Sequence, residues 1–367
     1  MKNFKIALLA AAVAAGFAAH AACAAPGIPL GLPPVPIPSD NPQGPEKVSL
    51  GKKLFLDKRF SQDGTVSCST CHAPEKAFTD GLPVAVGIKG LKGTRNSPTV
   101  INAAYYTTQF WDGRAASLEE QSKGPFINPV EHGLKDFKPV LETIRKDPEY
   151  PALFSKAFGI KPQEITMDHV VKAIASFERT VISGNSPFDR YMYGGQKDAM
   201  SEAAVRGLQI YRTKARCQDC HRIEQTSATF TDNKYHNLGV GFSLIGPELF
   251  EIVEKVKKAG ASGQKLDDTV LSSRKMSELG RFAVTLDLED IGRFKTPTLR
   301  NVAVTGPYMH DGSMETLEEV IELYDQGGEE NPMLDSGIRP LRLTEQEKAD
   351  LLEFLKALTS PEYENKK

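Results

Sequence analysis

One pentapeptide pattern occurs twice in the chain, as Cys68-Ser69-Thr70-Cys71-His72 and as Cys217-Gln218-Asp219-Cys220-His221. No other feature restricts the possible fold as tightly. Two thiols three positions apart, followed at once by histidine, form the attachment signature of c-type haem. The thiols can bond to the two vinyl groups along one porphyrin edge, and the histidine then lies beneath the ring as an axial iron ligand. The four clustered cysteines could instead form an all-thiolate zinc site or thioredoxin-like redox pairs. The histidine after both clusters, the exported context and the helical pattern of the chain favour two covalently bound haem c groups.

Residues 1–25 read as a secretory signal peptide: Lys2 and Lys5 lead a short apolar run from Ile6, and Ala22-Cys23-Ala24 offers a small-residue cleavage site. Cys23 is also a possible lipoprotein cysteine, although His20 stands where such signals prefer an aliphatic residue. The leader places the mature protein in the periplasm. No later stretch is apolar for the roughly 20 residues that a membrane span needs. Residues 26–45 hold eight prolines, which favour extended chain and exclude helix or sheet. This segment is expected to be a linker.

Hydrophobic residues make up 40% of the 367 and charged residues 25%, the balance of a folded protein. With 45 basic and 47 acidic residues there is no basic field for a nucleic-acid partner. Asp168–Val181 repeats apolar residues at helical period. Three S/T-x-x-E capping boxes mark helix starts at Ser117, Thr316 and Thr344. Each haem motif follows a related segment, Gly51-Lys52-Lys53-Leu54-Phe55 or Gly207-Leu208-Gln209-Ile210-Tyr211. The expected fold is all-α, as two cytochrome c-like domains at residues 46–190 and 191–362, each with one haem and long loops.

An electron carrier closes both irons with strong protein ligands, whereas an enzyme leaves one position open. Between His72 and Glu131 there is neither histidine nor methionine. The first haem therefore lacks a strong distal ligand nearby, although His132, His236 or His310 could reach it from elsewhere. An open iron in an exported haem protein points to peroxide or oxygen chemistry. A plain dihaem electron carrier fits less well.

From about Val48 to Thr359 the chain resembles the bacterial dihaem cytochrome c peroxidase family, and within it the MauG-like subgroup. The matching text includes Arg95-Asn96-Ser97-Pro98-Thr99, Phe110-Trp111-Asp112-Gly113-Arg114 and Gly124-Pro125-Phe126-Ile127-Asn128-Pro129-Val130-Glu131. It continues in Phe294-Lys295-Thr296-Pro297-Thr298-Leu299-Arg300-Asn301 and Gly306-Pro307-Tyr308-Met309-His310-Asp311-Gly312. The resemblance implies that hydrogen peroxide reacts at the N-terminal haem and that the C-terminal haem delivers electrons. Glu131 matches the acid that shuttles the peroxide proton, Gln121 and Pro125 match other pocket positions, and Trp111 matches the tryptophan between the haems. Asn96, Thr305 and Pro307 match the positions that hold a calcium ion.

Two departures place the chain near MauG. Gly87-Ile88-Lys89-Gly90 occupies the place of a distal histidine that some family peroxidases displace on activation. In addition, Tyr324 stands where the peroxidases carry the methionine that ligates the second haem. Met309, Met314 and Met276 remain competing ligands. An anionic phenolate favours the higher oxidation states of iron, a thioether the lower. The resemblance thus implies an electron donor such as a small cytochrome c or cupredoxin in the peroxidase reading. In the MauG-like alternative, a bis-Fe(IV) state oxidises aromatic residues of a partner protein.

Overall fold

The computed structural model describes residues 27–262 and 271–365. The expected leader and Cys23 lie outside the described residues. Helix dominates, as expected. The strands among the described residues are two short ones, β1 (Tyr235–His236) and β2 (Phe294–Lys295), paired antiparallel with Tyr235 opposite Lys295.

The first helical unit contains α1 (Pro45–Leu56), α2 (Lys138–Lys146), α3 (Tyr150–Phe158) and α4 (Met167–Glu178). Proline opens α1 because its fixed φ and missing N–H suit the first helical position. On α4, Val170, Val171, Ile174 and Phe177 are buried, as the apolar period predicts. The second unit is built on α5 (Glu202–Arg212), α7 (Leu317–Gln326) and α8 (Glu345–Lys356), with α6 (Leu249–Ala261) between α5 and α7 in the chain. All three capping hydroxyls accept as predicted, from Glu120, Glu319 and Glu347 N–H. In the first box the glutamate reaches Ala116 N–H rather than that of its cap residue.

Tertiary packing explains the short repeat. α1 crosses α4 at Gly51, where a Cβ would lie 1.9 Å from the Ala173 carbonyl oxygen. α5 crosses α8 at Gly207, where a Cβ would lie 2.0 Å from the Asp350 carbonyl oxygen. Only glycine permits so close an approach. Four residues on, Phe55 meets Phe177 edge to face at 5.2 Å, and Tyr211 meets Phe354 at 4.9 Å. Such ring pairs add about 0.5–1.5 kcal/mol beyond the area they bury. The two crossings organise separate cores, one around Phe55, Phe126 and Phe154, the other around Phe188, Tyr211 and Phe354.

A third core was not anticipated. Ile252, Val253 and Val256 on α6 pack with Phe242, Ile245, Leu279 and Phe282. Residues 27–44 of the proline-rich segment are free of helix and strand and Pro45 already opens α1, yet the segment is packed rather than loose. Gly31 O accepts from Ala228 N–H and Arg300 Nη2. Pro33 O accepts from the Tyr105 hydroxyl, and Asn41 donates to Glu119 and to Lys172 O. It straps the two units together. No helix among the described residues is long and apolar enough to cross a membrane.

Candidate active site

Both attachment motifs form a single tight turn. The backbone N–H of His72 donates to Cys68 O at 3.0 Å, and that of His221 to Cys217 O at 2.8 Å. Each turn thus places two thiols and a ring on one small surface. His72 Nδ1 faces Phe78 O at 3.4 Å, while His221 Nδ1 lies 3.0 Å from Phe230 O and 3.1 Å from Pro297 O. A carbonyl can only accept, so Nδ1 carries the proton and Nε2 keeps the lone pair for a metal. Burial lowers the affinity of both rings for a second proton, keeping them neutral. None of the four motif cysteines is joined in a disulfide, so all four sulfurs remain for haem attachment.

A cavity opens beside the first motif. Cys68, Cys71 and His72 form one wall, while Gln121, Pro125 and Glu131 line it from the chain that follows Trp111. Asn128 orients Glu131: its Nδ2 donates to Glu131 Oε1 at 3.0 Å, and its Oδ1 accepts from Val130 and Glu131 N–H. The Gly87–Gly90 loop packs against this acid, with Ile88 N–H donating to Glu131 O and the Ile88 side chain buried. Lys295 also lines the cavity. Its ammonium donates to Thr108 O at 3.0 Å and lies over the Tyr106 ring. Among the described residues it has no carboxylate partner, and burial pushes it down to about 7. A flat macrocycle with free vinyl groups and anionic propionates fits these thiols, this imidazole and this unpaired cation.

Trp111 stands where the two units meet. Its indole N–H donates to Asn96 O at 3.0 Å, and its carbonyl accepts from Lys295 N–H at 2.7 Å. The next residue, Asp112, is clamped by Arg95 at 2.9 Å and Arg114 at 3.0 Å. Burial alone would raise the Asp112 carboxyl, but Arg114 and Arg95 hold it below the usual range. Arg281 of the second unit donates to Asp112 O and Gly113 O. Asn96 is tied across the same seam, since its N–H donates to His310 O and its Nδ2 to Leu82 O. Thr305 and Pro307 lie in the segment that leads to His310, and Thr305 donates its hydroxyl to Val302 O.

A second internal repeat, at an offset of 199 residues, appears in the backbone. Asn102 and Asn301 are left-handed, with φ of 62° and 59°, as are Phe110 and Met309, at 68° and 72°. The bridge Gln109–Ala115 is matched by Tyr308–Met314, and the Ser117 cap by that of Thr316. This register puts Tyr324 opposite Pro125, a wall residue of the first cavity. Tyr324 lies on α7 and is half-buried. Burial raises its phenol well above the ordinary value, and Cys217 and Cys220 add to the effect. The same register puts Met309 opposite Phe110, another cavity-lining residue. Met314 sits in the bridge to Tyr308, and Met276 packs on the third core.

Of the three histidines that could have closed the first iron, two are committed elsewhere. His310 pairs with Glu278 at 2.6 Å and stacks on Phe294, while His236 is held between Asp232 at 2.9 Å and Asp335 at 2.7 Å. Hydrogen bonding to Asp232 is the largest of the effects that raise His236 to about 11, so its ring is an imidazolium. The third, His132, lines the cavity, and its Nδ1 donates to Phe60 O at 3.0 Å, which leaves Nε2 as its acceptor nitrogen. Sequence reasoning missed Asn128, Lys295 and the Asp232–His236–Asp335 cluster. Only the Asn-x-x-Glu spacing of Asn128 and Glu131 carried a local signal.

Residues 45–197 match the family described as di-haem cytochrome c peroxidase. Cytochrome-c peroxidase IdrP1 of Pseudomonas sp. (strain SCT) is 38% identical over 98% of this chain and 93% of its own. Methylamine utilization protein MauG of Methylorubrum extorquens is also 38% identical, over 88% of this chain and 81% of its own. The crystal structure of a MauG-like protein associated with microbial copper homeostasis superposes with a TM-score of 0.75 at 34% identity, covering 91% of this chain and 95% of that one. Two haem-attachment turns on this fold, with such identity along nearly the whole chain, make this protein a member of the di-haem cytochrome c peroxidase family.

Proposed function

We propose that hydrogen peroxide is reduced in the cavity beside His72, and that electrons reach it from the second haem by way of Trp111. Haem bound to Cys68, Cys71 and His72 would supply an open iron that polarises the peroxide. The observation that carries this reading is the lining of that cavity: Gln121, Pro125 and Glu131 share it with Cys68, Cys71 and His72, and no methionine is among the lining residues.

Asn128 donates its Nδ2 to Glu131 Oε1 and so fixes the carboxylate on the cavity lining. Glu131 can therefore take the proton of an incoming peroxide and return it to the departing oxygen, the task a general acid–base group performs. The ring of His132, buried and neutral, seals the cavity beside it. The second haem would be held by Cys217, Cys220 and His221, with Tyr324 as the distal residue. The 199-residue register supports Tyr324, and Met309 is the competitor. A tyrosinate ligand favours the reading in which a partner protein is oxidised, and a methionine favours a small cytochrome c or cupredoxin as donor. Calcium in the seam would be bound by Asn96 Oδ1 and the carbonyls of Thr305 and Pro307, a hard-cation set. The domain division at 46–190 and 191–362 and a periplasmic location complete the proposal.

The test mixes the ferric dihaem protein with stoichiometric hydrogen peroxide, with and without prior one-electron reduction. Reaction of the resting enzyme, with one high-spin and one low-spin haem by paramagnetic resonance, is the expected result. Two low-spin haems and an inert resting enzyme would refute an open first site.

A further inference from the structure

Glu178, the last residue of α4, lines the first cavity, yet the mechanism above gives it no task. It is 6% exposed, and its Oε2 is buried without a hydrogen-bond partner among the described residues. The neighbouring cation is already engaged: Arg179 holds Glu119 through bonds of 2.6 and 2.9 Å. A buried carboxyl without a counter-ion or a donor stays protonated. Burial, the largest effect, pushes Glu178 up to about 8, with Glu119 raising it and Arg179 opposing.

The fold itself does not require an acid here. The helix crossings at Gly51 and Gly207 superpose Phe177 on Phe354, so the counterpart of Glu178 in the second unit is Leu355, a buried apolar residue. The same contrast holds on the neighbouring wall. The helix Leu118–Gln121 packs on α4, and Gln121 and Ser122 stand where the second unit has Val320 and Ile321. The lining of the first cavity is polar at positions where the second unit carries apolar side chains.

We propose that Glu178 is a second acid of the first cavity, a proton-storing group that works alongside Glu131 in peroxide reduction. This rests on the reading that the cavity beside His72 is where peroxide reacts. Cleavage of the O–O bond uses two electrons from the donor and two protons, and each oxygen leaves as water. Glu131 relays the proton already on the peroxide. The Glu178 carboxyl gives one of the two protons consumed, becomes a carboxylate, and is reprotonated from solvent.

The test uses the dihaem protein with hydrogen peroxide and the chromogenic donor ABTS, comparing wild type with Glu178→Gln, Glu178→Leu and Glu131→Gln. Wild type should lose activity as pH rises through about 8. Both Glu178 variants should lack that alkaline limb and be slower at neutral pH by roughly tenfold or more, with haem content and spin states unchanged. Leucine is the residue of the second unit, so this variant guards against misfolding of the glutamine one. The infrared band of a protonated carboxyl should also disappear in Glu178→Gln. Retention of the wild-type rate and alkaline limb in both variants, or persistence of that band, overturns the role of Glu178. If Glu131→Gln is slow in that case, the cavity reading survives. If Glu131→Gln is fast too, the cavity reading fails with it.

Discussion

The backbone N–H of Lys295 donates to the carbonyl of Trp111 at 2.7 Å, and two residues later Pro297 O accepts from His221 Nδ1. A short piece of main chain therefore joins the residue at the seam to the ring expected beneath the second iron. Trp111→Phe removes the indole bond to Asn96 O and should cost about 1 kcal/mol of unfolding free energy. Stopped-flow spectra should show both haems loaded but slower electron transfer between them. Unaltered transfer in this variant would assign the coupling to the Lys295–Pro297 main chain alone.

Glu131→Gln should retain both haems and reduce peroxide turnover by roughly 10²-fold or more. Asn128→Ala leaves the acid in place but releases its Oε1, so its loss should be smaller and should appear mainly in kcat. Equal rates for wild type and Glu131→Gln would move the proton relay away from this residue.

Tyr324→Phe keeps the packing volume and removes the phenol oxygen. If that oxygen ligates the second iron, the low-spin signal should convert to high spin or to a water-ligated form. Met309→Leu should then change nothing. The reverse pattern in the two variants would identify the methionine as the ligand.

His236 is raised from 6.5 to about 11, most strongly by its hydrogen bond to Asp232. A group whose pKa is raised by folding contributes stability that is complete below its unfolded pKa and disappears as pH rises through the folded one. Replacing His236 by Gln should therefore destabilise the protein more at pH 6 than at pH 10. Denaturant unfolding at the two values checks the sign, and a larger loss at the alkaline one would contradict the pairing.

Gly51→Ala and Gly207→Ala each force a methyl group against a carbonyl of the partner helix. Overpacking of this kind costs about 1–3 kcal/mol, occasionally more. Thermal unfolding should show a lowered midpoint in both variants, with haem loss from the affected unit first.

Two haems and a helical fold were legible in the chain because each depends on local text. The attachment motifs and capping boxes need only neighbouring residues, and α4 shows its buried face through its period. The glycine–aromatic repeat was visible too, although its reason was not: Gly51 and Gly207 matter because another helix, far off in sequence, passes within reach of a Cβ. The roles of Lys295 and Glu178 depend on burial, and burial is decided by elements over a hundred residues away. His310 and His236 look like candidate iron ligands in the sequence, and only the tertiary structure commits them to Glu278, Asp232 and Asp335. The proline-rich segment behaves the same way. Composition excludes helix and sheet for it, but its carbonyls find partners on both units once the units are side by side. Local chemistry thus determined which groups the protein can carry, and long-range packing decided which side chains face them and in what charge state.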